Sequence, residues 1–395
     1  MKKLRLVRGS EVGTFLQDRW SWKRRWVDHL VKKTPDGKLF FGTLFHKHME
    51  HRYENPGYEM VAHDMTNEWL QKEDLSGMDQ VQYQELIELF HEVVAHYENY
   101  YQHEYEGMQT IATELKFAIP LFEEDPLNVL DGTLDFAYEG TIDLVYLQDG
   151  KLKFMDHKTV SSVDRYVKNS ILDRQISRYW WALSALCQGY GYVWVENLNV
   201  DIQALTDQPK GRWVPVTSTL LYSTLRQFNG PDEFSYNIIR KDAPHAPKLI
   251  KKGAALSVDK SQNTTYELYK KAIADNGFSE TDYLDILQHF EEQEDKFLRR
   301  IAITRTMGEC EAAMNDFAKV CKEIMSIRHE LEVDPQTAED TRLYYNITWD
   351  TPTFNSYFPL IQAEIMGENV DMVKALLYET EKDWNPEDDY IEVEG

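Results

Sequence analysis

The sequence has few cysteines and no long apolar run. Its three cysteines, Cys187, Cys310 and Cys321, are too few and too scattered for a disulfide framework or a paired-cysteine metal site, which indicates a reducing compartment. No apolar segment of about 18 residues, the length that spans a bilayer, occurs, and the basic start of the chain lacks the apolar run of a signal peptide. These absences predict a soluble, cytoplasmic protein with no membrane partner.

Basic residues are also scarce relative to acidic ones. Lys and Arg total 43 against 67 for Asp and Glu, which gives a formal net charge of −24. Such a balance repels a polyanion unless basic residues cluster locally. Clusters do occur at residues 18–26, 238–253 and 296–306. The net charge therefore argues against a nucleic-acid substrate, and the distribution of the basic residues argues for one.

The periodicity of apolar residues divides the chain into three regions. Helical spacing dominates residues 1–110, a period of two begins at about residue 111, and helical spacing returns beyond the proline-containing segment near residue 250. The predicted strands are 114–122, 134–140, 141–147, 151–159, 190–198 and 233–241, and the main predicted helices are 11–34, 42–54, 165–188, 264–277, 282–304 and 309–332. We therefore predict a helical N-terminal region (1–110), a sheet-containing core (111–250) and a helical C-terminal region (251–395) with a loose acidic tail.

The stretch GTIDLVYLQDGKLKFMDHKT, residues 140–159, reads as two strands joined by an Asp-Gly turn. With a two-residue turn, Asp143 faces Asp156 across the hairpin. Because side chains alternate along a strand, Lys158 lies on the same face as the two aspartates. The hairpin is therefore apolar near its turn and ionic at its open end.

Two opposed carboxylates repel each other, and partial burial increases this cost. A shared proton, a cation such as Lys158, or a bound divalent metal would compensate. Mg²⁺ or Mn²⁺ suits such a pair because hard cations take oxygen ligands. A metal ion, a metal-bound water molecule and a lysine in one place can together hydrolyse a phosphodiester. The bare pattern also arises by chance in a chain this acidic, where a Lys-Asp pair at a hairpin end is ordinary.

Four motifs in this order resemble those of the PD-(D/E)xK nuclease superfamily, and more narrowly its RecB-type exonuclease branch. They are G-x-x-x-H at Gly42 and His46, G-x-x-D at Gly140 and Asp143, D-x-K-T at Asp156–Thr159, and the helical Q-x-x-x-Y at Gln175 and Tyr179. The proline that names the superfamily is absent, as in many members. The resemblance covers residues 10 to about 245 and implies an α/β, restriction-endonuclease-like mixed sheet flanked by helices.

The resemblance also implies the residues of the site. The ligands of Mg²⁺ or Mn²⁺ would be His46, Asp143, Asp156 and the backbone carbonyl of His157, and the catalytic residues would be Asp143, Asp156, Lys158, Gln175 and Tyr179. Glu114 matches an acidic position of the family and would support the site or a second metal, and Glu50 would orient His46 or support the site. Tyr179 also fits a second interpretation, in which its helix uses an aromatic stripe for core packing.

Many RecB-type and CRISPR-associated exonucleases, and phage relatives of them, hold an iron–sulfur cluster with one N-terminal and three C-terminal cysteines. The opening segment at residues 10–26 is similar to theirs but lacks the cysteine, and residues 344–367 resemble the cluster region without any cysteine. We therefore predict no iron–sulfur cluster. Helix and aromatic packing would hold the C-terminal segment onto the nuclease core instead.

The leading functional prediction is a metal-dependent DNA nuclease, an exonuclease that acts on ends or single strands. Its setting would be DNA recombination, repair or phage DNA processing, in the host cytoplasm if the protein is phage-encoded, alone, as a homo-oligomer or with a recombination partner. The alternative is a catalytically silent nuclease-fold scaffold that binds nucleic acid or protein. A third interpretation is an unrelated zinc metallohydrolase that uses His46, His48 and His51, although His46 and His48 point to different faces of one helix.

Overall fold

The structure is a computed structural model that describes residues 2–34, 37–73, 78–121, 136–170, 172–195, 211–292, 296–347, 351, 355–381 and 384–393. Its strands are β1 (Lys2–Arg8), β2 (Leu30–Lys32), β3 (Met108–Leu121), β4 (Phe136–Gln148), β5 (Lys151–Val160), β6 (Tyr192–Val195), β7 (Arg212–Pro215), β8 (Glu233–Arg240), β9 (Leu249–Ile250), β10 (Ala255–Leu256), β11 (Leu298–Ile303), β12 (Tyr378–Thr380) and β13 (Tyr390–Val393). Its α-helices are α1 (Gly9–Gln17), α2 (Arg19–Trp26), α3 (Gly37–Glu54), α4 (Glu59–Leu70), α5 (Gln80–Tyr100), α6 (Val163–Ser170), α7 (Arg174–Cys187), α8 (Leu220–Leu225), α9 (Tyr266–Asp275), α10 (Leu284–Glu291), α11 (Met307–Val333), α12 (Pro335–Arg342), α13 (Phe358–Met366) and α14 (Val370–Leu377).

Nine of the described strands form one mixed sheet. Seven of them follow the spatial order β11-β8-β5-β4-β3-β6-β7, while β1 pairs with β4 and β13 pairs with β1. The pairs β5–β8 and β1–β4 are parallel, and the other pairs in the sheet are antiparallel. In the described residues, β9–β10 and β2–β12 form two separate small ribbons.

The hairpin of β4 and β5 has the predicted register. Asp149 and Gly150 have φ values of 53° and 73°, the positive values that a tight primed hairpin turn requires. Val145 therefore pairs with Phe154, and alternate residues enter two different cores. Val145, Leu152 and Phe154 pack in one core with α1, α7 and α11, whereas Leu144, Tyr146 and Met155 pack in the other with α3 and α5. Helices thus cover both faces of the sheet, which confirms the predicted α/β architecture.

Helix α3 packs on the sheet through a stripe of four buried side chains spaced four residues apart: Phe41, Phe45, Met49 and Tyr53. Full burial of each such side chain stabilises the fold by about 1.5 to 3 kcal/mol. Residues at this spacing lie on one face of a helix. The stripe therefore fixes the rotation of α3 and directs His46 away from this core.

Several predicted elements are wrong because their partners are distant in sequence. The helix predicted over 282–304 ends at Glu291, and residues 298–303 form β11, which pairs with β8. The tail predicted to be loose contains β13, which pairs with β1. Other differences concern the boundaries of elements. The helix predicted over 11–34 is instead part of α1, all of α2 and β2, and the helix predicted over 165–188 is divided into α6 and α7. One strand, described at 136–148, replaces two predicted strands.

The sheet takes strands from outside the predicted core of 111–250, because β1, β11 and β13 join it. The division into three regions stays a prediction. Among the described residues, no helix combines the length and apolarity needed to cross a bilayer.

The C-terminal segment contacts N-terminal elements partly through aromatic rings, and its predicted packing onto the nuclease core stays a prediction. Tyr345 stacks on Trp20 of α2, and the hydroxyl of Tyr357 donates a 2.7 Å hydrogen bond to the carbonyl of Leu30 in β2. β12 then pairs with β2. The segment therefore contacts the N-terminal elements α2 and β2.

The three cysteines of the chain, Cys187, Cys310 and Cys321, are buried free thiols.

Candidate active site

The candidate site lies where β4 and β5 separate. Their regular pairing ends at Leu144 and Met155, one residue short of the two aspartates. Beyond that point β5 continues beside β8, and the first part of β4 pairs with β1. Oδ2 of Asp143 accepts a 2.6 Å hydrogen bond from the backbone N–H of His157. Asp143 and Asp156 are therefore not a regular cross-strand pair, contrary to the prediction. The carboxylate of Asp143 lies between the two strands instead, where it binds the backbone of His157.

The residue opposite Asp143 in the register is Glu114 on β3. It lies between the pairs Thr113–Leu144 and Leu115–Ile142. Nδ1 of His46 lies 3.4 Å from Oδ2 of Asp143. One ligand atom from each of His46, Glu114 and Asp143 lies within 4.8 Å of the others. The structure therefore brings together two predicted metal ligands, His46 and Asp143, and a second carboxylate, Glu114, which the sequence assigned to the support of the site or to a second metal.

Glu114 is held in an unfavourable state by its surroundings. Its φ of 43° lies in the left-handed region, which costs a residue with a branched or long side chain of the order of 1 kcal/mol or more. Burial, and then the charge of Asp143, raise the pKa of Glu114 to about 8. A bound cation would favour the ionised form of both carboxylates. Strain and a raised carboxyl pKa at one residue are typical of a functional site.

Asp156 and Lys158 form an ion pair beside this cluster. Nζ of Lys158 lies 2.6 Å from Oδ2 of Asp156. Burial, with a contribution from Asp143, raises the pKa of Asp156 to about 6, although Lys158 opposes this rise. Burial also opposes the charge of Lys158, but Asp156 and Asp143 outweigh it and raise the lysine pKa above its usual value. Lys158 is therefore an ammonium at neutral pH, suited to stabilise negative charge.

Gly42 explains how α3 reaches the site. A Cβ at this position would lie 3.2 Å from Oγ1 of Thr159, so α3 and β5 approach closely here. His46 follows one helical turn later, beside Asp143. The glycine of one motif and the threonine of another thus contact each other, which the sequence did not predict.

Gln175 and Tyr179 lie on one face of α7, as predicted from their spacing. Nε2 of Gln175 donates a 2.9 Å hydrogen bond to the hydroxyl of Tyr179. Asp173 caps the start of the helix by accepting from the N–H of Gln175. Burial raises the pKa of Tyr179 well above its usual value, and the charges of Asp156 and Asp143 add to this effect. Tyr179 is therefore both a core residue and a neighbour of the two aspartates.

Gly140 is needed because aromatic rings pack against its backbone. A Cβ at this position would lie 2.6 Å from Cζ of Phe117 and 2.9 Å from Cε1 of Tyr179. We expect Gly140→Ala to lower the free energy of unfolding by about 1 to 3 kcal/mol, as overpacking does. Urea denaturation would measure this. Gly13→Ala is the matched control, since α1 leaves open space at Gly13 and alanine should be neutral or stabilising there. Equal effects of the two changes would contradict this account of Gly140.

The side chain of His157 belongs to a buried hydrogen-bond network. Its ring stacks on Tyr53, with ring centroids 5.6 Å apart, and its Nδ1 lies 2.9 Å from Nδ2 of Asn237. Asn237 also donates to the hydroxyl of Tyr97. Burial lowers the pKa of His157 well below its usual value, so the ring is neutral. This imidazole is thus engaged in the core, and the predicted ligand role of His157 concerns its backbone carbonyl alone.

A cleft of about 840 Å³ opens beside His46 and Glu114. Its wall includes Lys116, whose Nζ lies 4.9 Å from the ring centroid of Trp194 and 3.1 Å from a carboxylate oxygen of Glu139. Trp194 also borders the cleft. The cleft therefore presents acidic groups near the cluster and a lysine over an aromatic ring farther along its wall.

The basic residues at 18–26 do not form a free binding surface. Each of the four cations described there forms an ion pair with an acidic residue, and the pairs are Arg19–Glu323, Lys23–Asp28, Arg24–Glu364 and Arg25–Glu381. In the other two clusters, Arg240 pairs with Asp242, Arg299 with Asp164 and Arg300 with Glu104. The predicted support for nucleic-acid binding is therefore weakened for the segment at 18–26 and for these three arginines.

A mixed sheet with a divided hairpin, two carboxylates, a lysine and a helical histidine beside them defines the class of restriction-endonuclease-like nucleases. A family model for the PD-(D/E)XK nuclease superfamily matches residues 10–322, which include every candidate site residue. The chain belongs to this superfamily, which confirms the predicted resemblance to it. The narrower resemblance to the RecB-type branch stays a prediction. No curated protein matches the chain.

Because the chain belongs to this superfamily, we infer that it is a nuclease and that its substrate is a nucleic acid. Nucleases of this superfamily use divalent metals, and the donor atoms of His46, Glu114 and Asp143 fit such an ion. Periodicity placed Glu114 at the start of a strand, but its approach to Asp143 depends on the register of β3, which shifts between Thr110 and Ala112. No pattern in the sequence marks that irregularity.

Proposed function

We propose that this protein is a Mg²⁺- or Mn²⁺-dependent deoxyribonuclease of the RecB type that degrades DNA from ends or as single strands. The observation that carries the proposal is the convergence of His46, Glu114 and Asp143 beside the Asp156–Lys158 pair. DNA recombination, repair or phage DNA processing would be its setting.

In this proposal His46, Asp143, Asp156 and the carbonyl of His157 hold the metal, and Glu114 joins them. The bound metal would polarise the scissile phosphate and lower the pKa of a water molecule. Lys158, charged and fixed by Asp156, would orient that water and stabilise the charge that develops on the phosphate. Gln175 would contact the substrate from α7 while Tyr179 anchors it through their hydrogen bond.

The cleft supports a flexible strand as the substrate. Trp194 offers an aromatic surface, and stacking of a base on such a ring contributes about 1 to 3 kcal/mol without sequence preference. Lys116 and Arg8 share the single carboxylate of Glu139, so this group of three keeps one net positive charge close to the ring. A single strand can present both an unstacked base and its phosphate to these two groups.

The test is an incubation of end-labelled linear, circular and single-stranded DNA with the protein in Mn²⁺. We expect loss of linear and single-stranded DNA, with circular duplex retained, and no loss in EDTA. Asp156→Asn should remove the cleavage, because it removes a metal ligand and the partner of Lys158. Cleavage that persists in EDTA, or in the Asp156→Asn protein, would contradict the proposed mechanism, and degradation of circular DNA would contradict the exonuclease mode.

The alternative function is a silent nuclease-fold scaffold. It is favoured by the net charge of −24 and by the ion pairs that engage the basic residues at 18–26. A calorimetric Mn²⁺ titration separates the two functions. No Mn²⁺ binding together with no cleavage of any DNA form would support the scaffold.

A further inference from the structure

A second polar cluster lies among the N-terminal helices, on a different face of α3 from His46. It consists of His48 on α3, His63 on α4 and Glu98 on α5. One ligand atom from each of the three lies within 4.8 Å of the other two. Nε2 of His48 and Nε2 of His63 lie 3.5 Å and 3.2 Å from Oε1 of Glu98. Three helices thus direct nitrogen and oxygen donors to one point.

The hydrogen bonds of Thr66 determine which nitrogen of His48 faces this point. The Thr66 hydroxyl donates its hydrogen to the carbonyl of Ala62 at 2.7 Å. It must therefore accept from Nδ1 of His48, at 3.3 Å, and from Nδ1 of His51, at 3.0 Å. With Nδ1 carrying a hydrogen, Nε2 of a neutral His48 presents a lone pair to the cluster.

This lone pair and a carboxylate oxygen face each other without a hydrogen bond. His48 is fully buried, at 0% exposure. Within the described residues, Nε2 of His48 and Oε1 of Glu98 both lack a hydrogen-bond partner, although only 3.5 Å separates them. Buried polar atoms are rarely left in this state, since each costs about 1 to 3 kcal/mol. A cation between the two atoms would satisfy both.

Two cationic groups border Glu98. The ring of His63 is hydrogen-bonded to the other carboxylate oxygen, with 3.3 Å between its Nε2 and Oε2 of Glu98, and the guanidinium of Arg52 is largely committed elsewhere. Its Nε and Nη2 donate to Oε1 of Glu104 at 3.0 Å and 2.7 Å. Its Nη1 lies 3.9 Å from Oε1 of Glu98, beyond hydrogen-bond distance. Arg52 therefore does not supply the missing contact to Glu98.

We propose that His48, His63 and Glu98 bind a zinc ion that joins α3, α4 and α5. Two imidazole nitrogens and a carboxylate form a donor set that zinc accepts, whereas Mg²⁺ prefers oxygen ligands alone. The Nδ1 hydrogen bond from His48 to Thr66 is the supporting contact that zinc-bound histidines usually make. Water would complete the coordination.

This site differs from the zinc site considered from the sequence. Of that trio, His46 faces Asp143 and His51 contacts Thr66, so only His48 contributes to the proposed site. The ion would tie α4 and α5 to α3, the helix that positions His46. The inference does not depend on the proposed nuclease activity, because metal content and thermal stability are measured without DNA.

The experiment uses the full chain with Asp143→Asn, so that the candidate active site contributes less to metal binding. After EDTA treatment, the protein is incubated with ZnSO₄ and filtered, and its zinc content is measured by mass spectrometry. We expect about one zinc per chain and a rise in Tm of roughly 3 to 5 °C at saturating zinc. His63→Ala and Glu98→Gln should each lose both effects.

His103→Ala is the matched control, because the His103 side chain is 74% exposed and belongs to a surface pair with Glu106. It should retain the zinc and the rise in Tm. The proposal is overturned if the parent binds well under one zinc per chain with no rise in Tm, or if both Glu98→Gln and His63→Ala, folded by circular dichroism, bind zinc as the parent does. In those cases His48 and Glu98 form an ordinary buried ion pair.

Discussion

Lys158→Ala is expected to lower kcat for Mn²⁺-dependent DNA cleavage by roughly 10²- to 10³-fold, with little change in KM. Lys158 is an ammonium held 2.6 Å from Asp156, and two aspartates keep it charged. A fixed charge of this kind acts mainly on the charge that develops in the transition state, so its loss affects kcat more than substrate binding. Steady-state kinetics on labelled single-stranded DNA would measure both constants.

Lys153→Ala is the matched control for this prediction. Lys153 lies on the same strand, β5, and pairs with Glu233 at 3.1 Å, but it projects from the other face of the hairpin. Its removal should leave kcat within about twofold, since Lys153 lies on the opposite face of the sheet from the candidate site. Undiminished cleavage by Lys158→Ala, or an equal loss in both variants, would refute the assigned role of Lys158.

Glu114→Gln is expected to stabilise the metal-free protein at pH 8 and to weaken Mn²⁺ binding at least about tenfold. The pKa of Glu114 rises from 4.5 to about 8 in the folded chain through burial and the charge of Asp143. Between these two values the folded protein retains a proton that the unfolded chain has lost. Stability in EDTA should therefore fall as the pH rises from about 4.5 to 8.

Asp156 contributes a similar fall at lower pH, because its pKa rises from 3.8 to about 6. Between pH 6 and pH 8 Glu114 adds to this fall, as does His63, whose pKa is raised by its hydrogen bond with Glu98, and the comparison with Glu114→Gln isolates the part due to Glu114. Glutamine cannot ionise, so Glu114→Gln should reduce this fall and gain about 1 to 3 kcal/mol at pH 8. Urea denaturation in EDTA at pH 5, 6.5 and 8, with Mn²⁺ calorimetry, would measure both effects.

The control for Glu114 is Glu106→Gln, since the Glu106 side chain is 79% exposed and lies just before β3. It should alter neither the pH dependence nor Mn²⁺ binding. If Glu114→Gln behaves in the same way, Glu114 is neither a metal ligand nor the origin of the pH effect. Loss of stability at pH 8 would be equally incompatible, since it would mean that the ionised carboxylate stabilises the metal-free fold.

The sequence by itself determined the features that depend on neighbouring residues. The Asp-Gly turn set the register of the β4–β5 hairpin, because its two positive φ values allow one tight geometry. Spacing of four residues placed Gln175 and Tyr179 on one helix face, where they are hydrogen-bonded. The motif order also identified the superfamily, which the family model confirms.

Only the tertiary structure decided which distant groups meet. Glu114 reaches Asp143 through an irregular register in β3, and β11 forms because β8 offers it an edge. The basic residues at 18–26 meet acidic partners, most of them some 300 residues away, and three helices bring His48, His63 and Glu98 together. Turns and helix faces are set by local φ and ψ preferences, whereas contacts between distant segments depend on how whole elements pack, a property that no short stretch of sequence contains.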